Sequence, residues 1–64
     1  MIEKLKALRA RLLTVQRELI TVAAKAGTIP SDNSLRKIAD LEIAIGAVET
    51  MIEDQSGQRA VEAA

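Results

Sequence analysis

Hydrophobic residues recur along the first part of the chain at alternating intervals of four and three. The positions are Met1, Leu5, Leu8, Leu12, Val15, Leu19, Val22 and Ala26. This heptad spacing is typical of an amphipathic helix that packs lengthwise against another helix. The segment also lacks Gly and Pro, and most of its residues favour helix. We therefore predict one helix over about residues 2–26.

A second heptad repeat follows in the other half of the chain. Its apolar positions are Ile38, Leu41, Ile45, Val48 and Ile52. Continuing the repeat past the last of them meets only polar residues, so the apolar seam ends there. We predict a second helix over about residues 34–55 and a flexible C-terminal tail over residues 58–64.

Residues 27–33 carry the signals of a turn. Gly27 is expected to end the first helix in a left-handed conformation, and Pro30 cannot occupy a helix interior. Three successive residues are competent N-caps, so the exact start of the second helix stays open; they are Ser31, Asp32 and Asn33. Ile29 is predicted to pack onto the first turn of that helix as a hydrophobic staple.

The two heptad repeats fit each other when the chain folds back. A short connection favours antiparallel neighbours. One alignment produces five consecutive apolar layers: Val22–Ile38, Leu19–Leu41, Val15–Ile45, Leu12–Val48 and Leu8–Ile52. The same alignment places Arg9 near Glu49 and Gln16 near Glu42. We predict an all-α fold, an antiparallel, coiled-coil-like two-helix hairpin over residues 1–57.

The apolar surface exceeds what one hairpin can cover. Five further apolar residues lie beside the two seams and are predicted to form the association interface: Leu13, Ile20, Leu35, Ala39 and Met51. A chain of 64 residues buries only a thin core, so stability is expected to come partly from association. The simplest completion is a homodimeric four-helix bundle, and the alternative is a complex in which another helical protein supplies the missing helices.

The composition removes several classes of chemistry. The sequence has no Cys, His, Trp, Tyr or Phe. Disulfides, thiolate metal sites, histidine general bases and aromatic platforms for bases are therefore excluded. The acidic group Glu49, Glu53 and Asp54 is interpreted as a solvated face rather than a metal site. We expect no enzymatic activity, no metal and no cofactor.

Charge is divided between the two halves of the chain. Residues 1–27 carry six basic and two acidic side chains, and residues 28–64 carry three basic and seven acidic ones, so the halves have net charges of +4 and −4. This division favours pairing the helices. The basic residues of the first helix offer a possible contact to nucleic acid or to an acidic partner: Lys4, Lys6, Arg9, Arg11 and Arg17.

Three functions are compatible with these patterns. The first is a non-enzymatic protein-interaction module, a small regulator, inhibitor or adaptor that binds itself or another helical protein by helix packing. The second is a small dimeric RNA- or DNA-binding regulator that uses the basic residues of the first helix. The third is a structural subunit of a larger phage- or plasmid-encoded assembly. Charges interrupt residues 1–13 and no membrane-length apolar segment occurs, so we expect a cytoplasmic protein without membrane contact.

Overall fold

A computed structural model of the protein describes residues 1–57. Two helices, α1 (Ile2–Ala26) and α2 (Asp32–Gln55), pack against each other along their lengths. No strand occurs within the described residues. The predicted all-helical hairpin is thus confirmed, whereas the predicted tail over residues 58–64 lies outside the described part of the chain.

The end of α1 follows from the residue that succeeds it. Gly27 has φ 70° and ψ 26°, a left-handed conformation that a residue with a Cβ adopts only with strain. Its N–H donates to Ala24 O, and the N–H of Thr28 donates to Ala23 O, both at 3.2 Å. These two hydrogen bonds form a Schellman motif and satisfy carbonyls that the helix end would otherwise leave unpaired.

The start of α2 lies two residues before the predicted one. Ser31 is the N-cap, and its hydroxyl oxygen accepts a hydrogen bond of 3.2 Å from the N–H of Ser34. The predicted staple at Ile29 is wrong, because this side chain is 81% exposed. With Ser31 as the cap, Pro30 occupies the position from which a staple packs, and Ile29 lies one residue too early.

The core is a narrow strip between the two helices. Within the described residues, the buried side chains are Leu5, Gln16, Ile45 and Val48. Half-buried side chains extend the strip along both helices; the apolar ones are Ile2, Leu8, Leu12, Leu13, Leu19 and Ala23 on α1 and Ile38, Leu41, Ala44 and Ile52 on α2. The predicted apolar seam of α2 is therefore confirmed at all its positions.

The predicted seam of α1 is only partly correct. Val15 is 47% exposed and Val22 is 69% exposed, whereas Gln16 is 9% exposed and occupies the contact face. The face that meets α2 runs from Leu5 to Ala23, a distance of five turns at 3.6 residues per turn. A heptad repeat has a period of 3.5 residues per turn, whereas an ordinary helix has 3.6, so the repeat drifts around the helix surface. Part of the α1 seam therefore lies outside the face that contacts α2.

Candidate helix-packing site

Polar contacts between the helices lie on one side of the hairpin and fix its register. The side-chain amide of Gln16 donates to Oε1 of Glu42 at 2.9 Å and to the backbone carbonyl of Ile38 at 3.4 Å. Nη1 of Arg9 lies 3.6 Å from Oε2 of Glu49. Both pairs were predicted from the alignment of the two heptads and are confirmed. Residues of α1 and α2 whose numbers sum to about 58 therefore lie at the same level along the hairpin.

Four of the five residues predicted for association share this side. Leu13 follows Arg9 by one turn, and Ile20 follows Leu13 by seven residues, so all three lie on one flank of α1. On α2, Leu35 precedes Glu42 by seven residues and shares its flank. We call this surface the Leu13 side; it comprises Arg9, Leu13, Gln16 and Ile20 of α1 and Leu35, Ala39, Glu42 and Glu49 of α2.

The opposite side of the hairpin holds an open, mostly apolar groove of about 380 Å³. Its lining residues are Val15, Leu19, Lys37, Asp40, Leu41 and Ala44. Met51, the fifth residue predicted for association, follows Ala44 by seven residues and belongs to this side. The structure thus places the five predicted association residues on two surfaces rather than one.

The groove side is built from two rows of residues spaced by seven. On α1 the row is Met1, Leu8, Val15 and Val22, and on α2 it is Lys37, Ala44 and Met51. We call these seven residues together the groove side. The sequence pattern assigned the α1 row to the interior of the hairpin, so the groove itself was not predicted. The available signal was Gln16, which lies four residues after Leu12 and three before Leu19 and so competes with Val15 for the contact face.

The five basic residues of α1 that were predicted to contact nucleic acid or an acidic partner do not form one patch. Lys4 and Arg11 lie seven residues apart on the flank next to Val15, whereas Lys6 and Arg17 lie three turns apart on the flank of Leu13. Arg9 is engaged with Glu49. The helix therefore distributes its positive charge around its circumference.

The described residues offer little for other chemistry. No group of three or more carboxylates within residues 1–57 is close enough to hold a metal ion. The Thr14 hydroxyl donates to the Ala10 carbonyl of its own helix at 3.0 Å. Neither α1 nor α2 combines the length and the apolar character that a bilayer-spanning helix requires.

Comparison with known proteins identifies no relative of this chain. No family model, no curated protein and no solved structure matches the chain. The functional interpretation therefore depends on the lateral surfaces themselves.

Proposed function

We propose that this protein is a non-enzymatic interaction module that acts by helix packing, as a small regulator, inhibitor or adaptor. In its simplest form it associates with itself, and two hairpins complete a four-helix bundle. The observation that carries the proposal is the imbalance between core and surface. Four side chains of the described residues are buried, whereas eight large hydrophobic side chains are at least 44% exposed.

Physical reasoning favours association over a solitary hairpin. A helix on the surface of a globular protein normally exposes one polar face, whereas both helices here carry apolar residues on more than one flank. Contiguous exposed apolar surface typically marks an interface between proteins. A second hairpin buries such a surface without any further cofactor or cross-link.

The absence of suitable side chains supports a non-enzymatic function. The whole sequence lacks His, Cys and Tyr, which are among the residues that enzymes most often use as acids, bases or nucleophiles. Nucleic-acid binding is less favoured than helix packing, because the basic residues of α1 point to different flanks. A structural subunit of a larger assembly would use the same apolar surfaces. Only the mass of the chain in solution distinguishes that role from self-association.

Sedimentation equilibrium tests the proposal. We expect the wild-type chain to have twice its mass of 6.9 kDa at micromolar concentrations and to change little with added salt. The Arg9→Ala/Arg11→Ala variant is the charge control, and we expect it to remain dimeric. A well-folded monomer at every concentration would contradict self-association and leave another protein as the source of the missing helices. Steep dissociation with salt would contradict apolar packing as its basis.

A further inference from the structure

We propose that the groove side, not the Leu13 side, is the surface on which a second copy of this chain binds. This inference rests on the self-association proposed above and specifies where that association occurs. The occupant of the groove is the groove side of the second copy, related to the first by a two-fold axis, so that the same residues contribute from both chains.

The heptad seam of α1 is only partly covered within one chain. The seam consists of two rows: α2 covers Leu5, Leu12 and Leu19 of one row, and in the other row Leu8 is half-buried against the core whereas the residues that follow it are exposed. The other row, which includes Val15 and Val22, is left on the groove side, 47% and 69% exposed. In a bundle of four helices both rows of a heptad face the interior, because each helix has two neighbours. The uncovered row therefore marks the direction of the missing helices.

The two rows of the groove side also match along the length of the hairpin. The register set by the Gln16–Glu42 and Arg9–Glu49 contacts places Leu8 level with Met51, and Val15 level with Ala44. Apolar residues from both helices thus lie side by side over about two turns, and the next level pairs Val22 with Lys37. A surface of this length is continuous with the existing α1–α2 core, since Leu19 and Leu41 line the groove and also contribute to that core.

Charges at the edge of the groove suit a second copy of the same chain. Lys37 and Asp40 line the groove together with its apolar residues. An apolar centre with a polar rim is the usual arrangement of a protein interface. Lys4 and Arg11 add positive charge on the neighbouring flank of α1, but the chain as a whole has no net charge, so two copies approach without net long-range repulsion.

The Leu13 side is less suited to this role. Its centre holds the Gln16–Glu42 hydrogen bond and the Arg9–Glu49 ion pair. The side chains of Arg9 and Glu49 are 44% and 48% exposed. A second hairpin packed there would remove water from these polar groups, which is costly unless every one of them gains a new partner. In contrast, the groove is lined by four apolar residues out of six.

A matched pair of variants tests the proposal. Val15 and Ile20 are both 47% exposed β-branched residues of α1, and they lie on opposite sides of the hairpin. We expect Val15→Asp to raise the dimer dissociation constant ~100-fold or more, because each dimer would bury two carboxylates. We expect Ile20→Asp to leave the constant within about three-fold of wild type, because its carboxylate stays in water. Far-UV circular dichroism checks that both variants remain helical.

Each outcome has a distinct meaning. Dissociation by Ile20→Asp but not by Val15→Asp would overturn the inference and assign the interface to the Leu13 side, as the sequence pattern alone favoured. Dimers that survive both changes would overturn it as well. A wild-type chain that is already monomeric would instead contradict the self-association on which the inference rests.

Cysteine labelling provides a test that does not depend on disruptive changes. The chain has no Cys, so the Val15→Cys and Ile20→Cys variants each carry a single thiol. We expect maleimide to label the Val15→Cys variant about ten-fold more slowly above the dimer dissociation constant than below it. Labelling of the Ile20→Cys variant should not depend on protein concentration. Equal concentration dependence at the two positions would overturn the assignment of the groove side.

Discussion

The amide of Gln16 and the carboxylate of Glu42 join α1 to α2 through a 2.9 Å hydrogen bond at the middle of the hairpin. Gln16 is buried, whereas Glu42 remains open to water. Every buried side-chain nitrogen or oxygen within residues 1–57 has a hydrogen-bond partner. A polar residue placed in this way at an otherwise apolar contact defines the register of two helices at some expense of stability.

Replacing Gln16 with Leu should therefore stabilise the hairpin and make its register less unique. We expect a gain of about 1 kcal/mol in the free energy of unfolding, since the new side chain adds apolar burial and Glu42 returns to water. Urea unfolding followed by circular dichroism measures the gain. Gln16→Ala, which removes the hydrogen bond without restoring apolar contact, should lose about 1 kcal/mol. A loss with Leu as large as that with Ala would contradict this reasoning.

The hairpin itself was predictable because its signals are local. Gly27 favours a left-handed helix end and Pro30 disrupts a helix interior, so together they separate the two heptads, which define their own lengths. The register was also accessible, since the Gln16–Glu42 and Arg9–Glu49 pairs predicted from the alignment are both present. Two of the five predicted apolar layers are wrong, because they contain Val15 and Val22, which the structure leaves exposed. The exact start of α2 was not predictable, because Ser31, Asp32 and Asn33 are equally suitable as caps.

The rotation of α1 could not be obtained from its sequence. Val15 and Gln16 are adjacent, and either can occupy the contact face with a small rotation of the helix. The heptad pattern favours Val15, whereas in the structure the Gln16 hydrogen bond to Glu42 accompanies a contact face that follows the 3.6-residue period. This rotation separates the two lateral sides and decides which apolar residues stay uncovered. The candidate interface therefore depended on geometry rather than on composition.

The cap at Ser31 should contribute measurably to the stability of α2. We expect Ser31→Ala to lower the free energy of unfolding by about 1 kcal/mol, because the N–H of Ser34 loses its acceptor. Thermal unfolding at a fixed protein concentration measures the effect. The Ser31→Asp variant retains an acceptor and adds favourable charge at the helix N-terminus, so it should be at least as stable as wild type. Equal losses in both variants would argue against capping as the cause.

The left-handed conformation at Gly27 makes a second position sensitive to substitution. We expect Gly27→Ala to destabilise the hairpin by about 1 kcal/mol, since Ala pays a steric cost at φ 70° that Gly does not. Apart from Gly27 and its two chain neighbours, no atom lies within 4 Å of a Cβ built at this position, so the loss would come from the local backbone and not from contact with the rest of the protein. The Gly27→Asn variant should lose less, because Asn tolerates the left-handed region better. Urea unfolding of the two variants measures the difference.

Gly46 should respond in the opposite direction. It lies inside α2, and a Cβ added there meets nothing within 4 Å. Replacing a helix-interior Gly with Ala reduces the entropy of the unfolded chain and favours helix, so we expect Gly46→Ala to gain about 0.5–1 kcal/mol. Gly46 also lies away from both rows of the groove side, so the dimer dissociation constant should not rise. A large rise would show that another chain approaches the backbone at Gly46.

The ion pair between Arg9 and Glu49 should couple the two helices only weakly. Both side chains are nearly half exposed and their charged atoms are 3.6 Å apart, so water and salt screen the attraction. A double-mutant cycle with Arg9→Ala and Glu49→Ala should yield a coupling free energy of about 0.2–1 kcal/mol that falls towards zero in high salt. A matched cycle with Arg11→Ala and Glu49→Ala should show no coupling, because Arg11 lies on the other flank of α1. A coupling that persists in high salt would place the Arg9–Glu49 pair out of contact with water, and would therefore favour a dimer that closes over the Leu13 side.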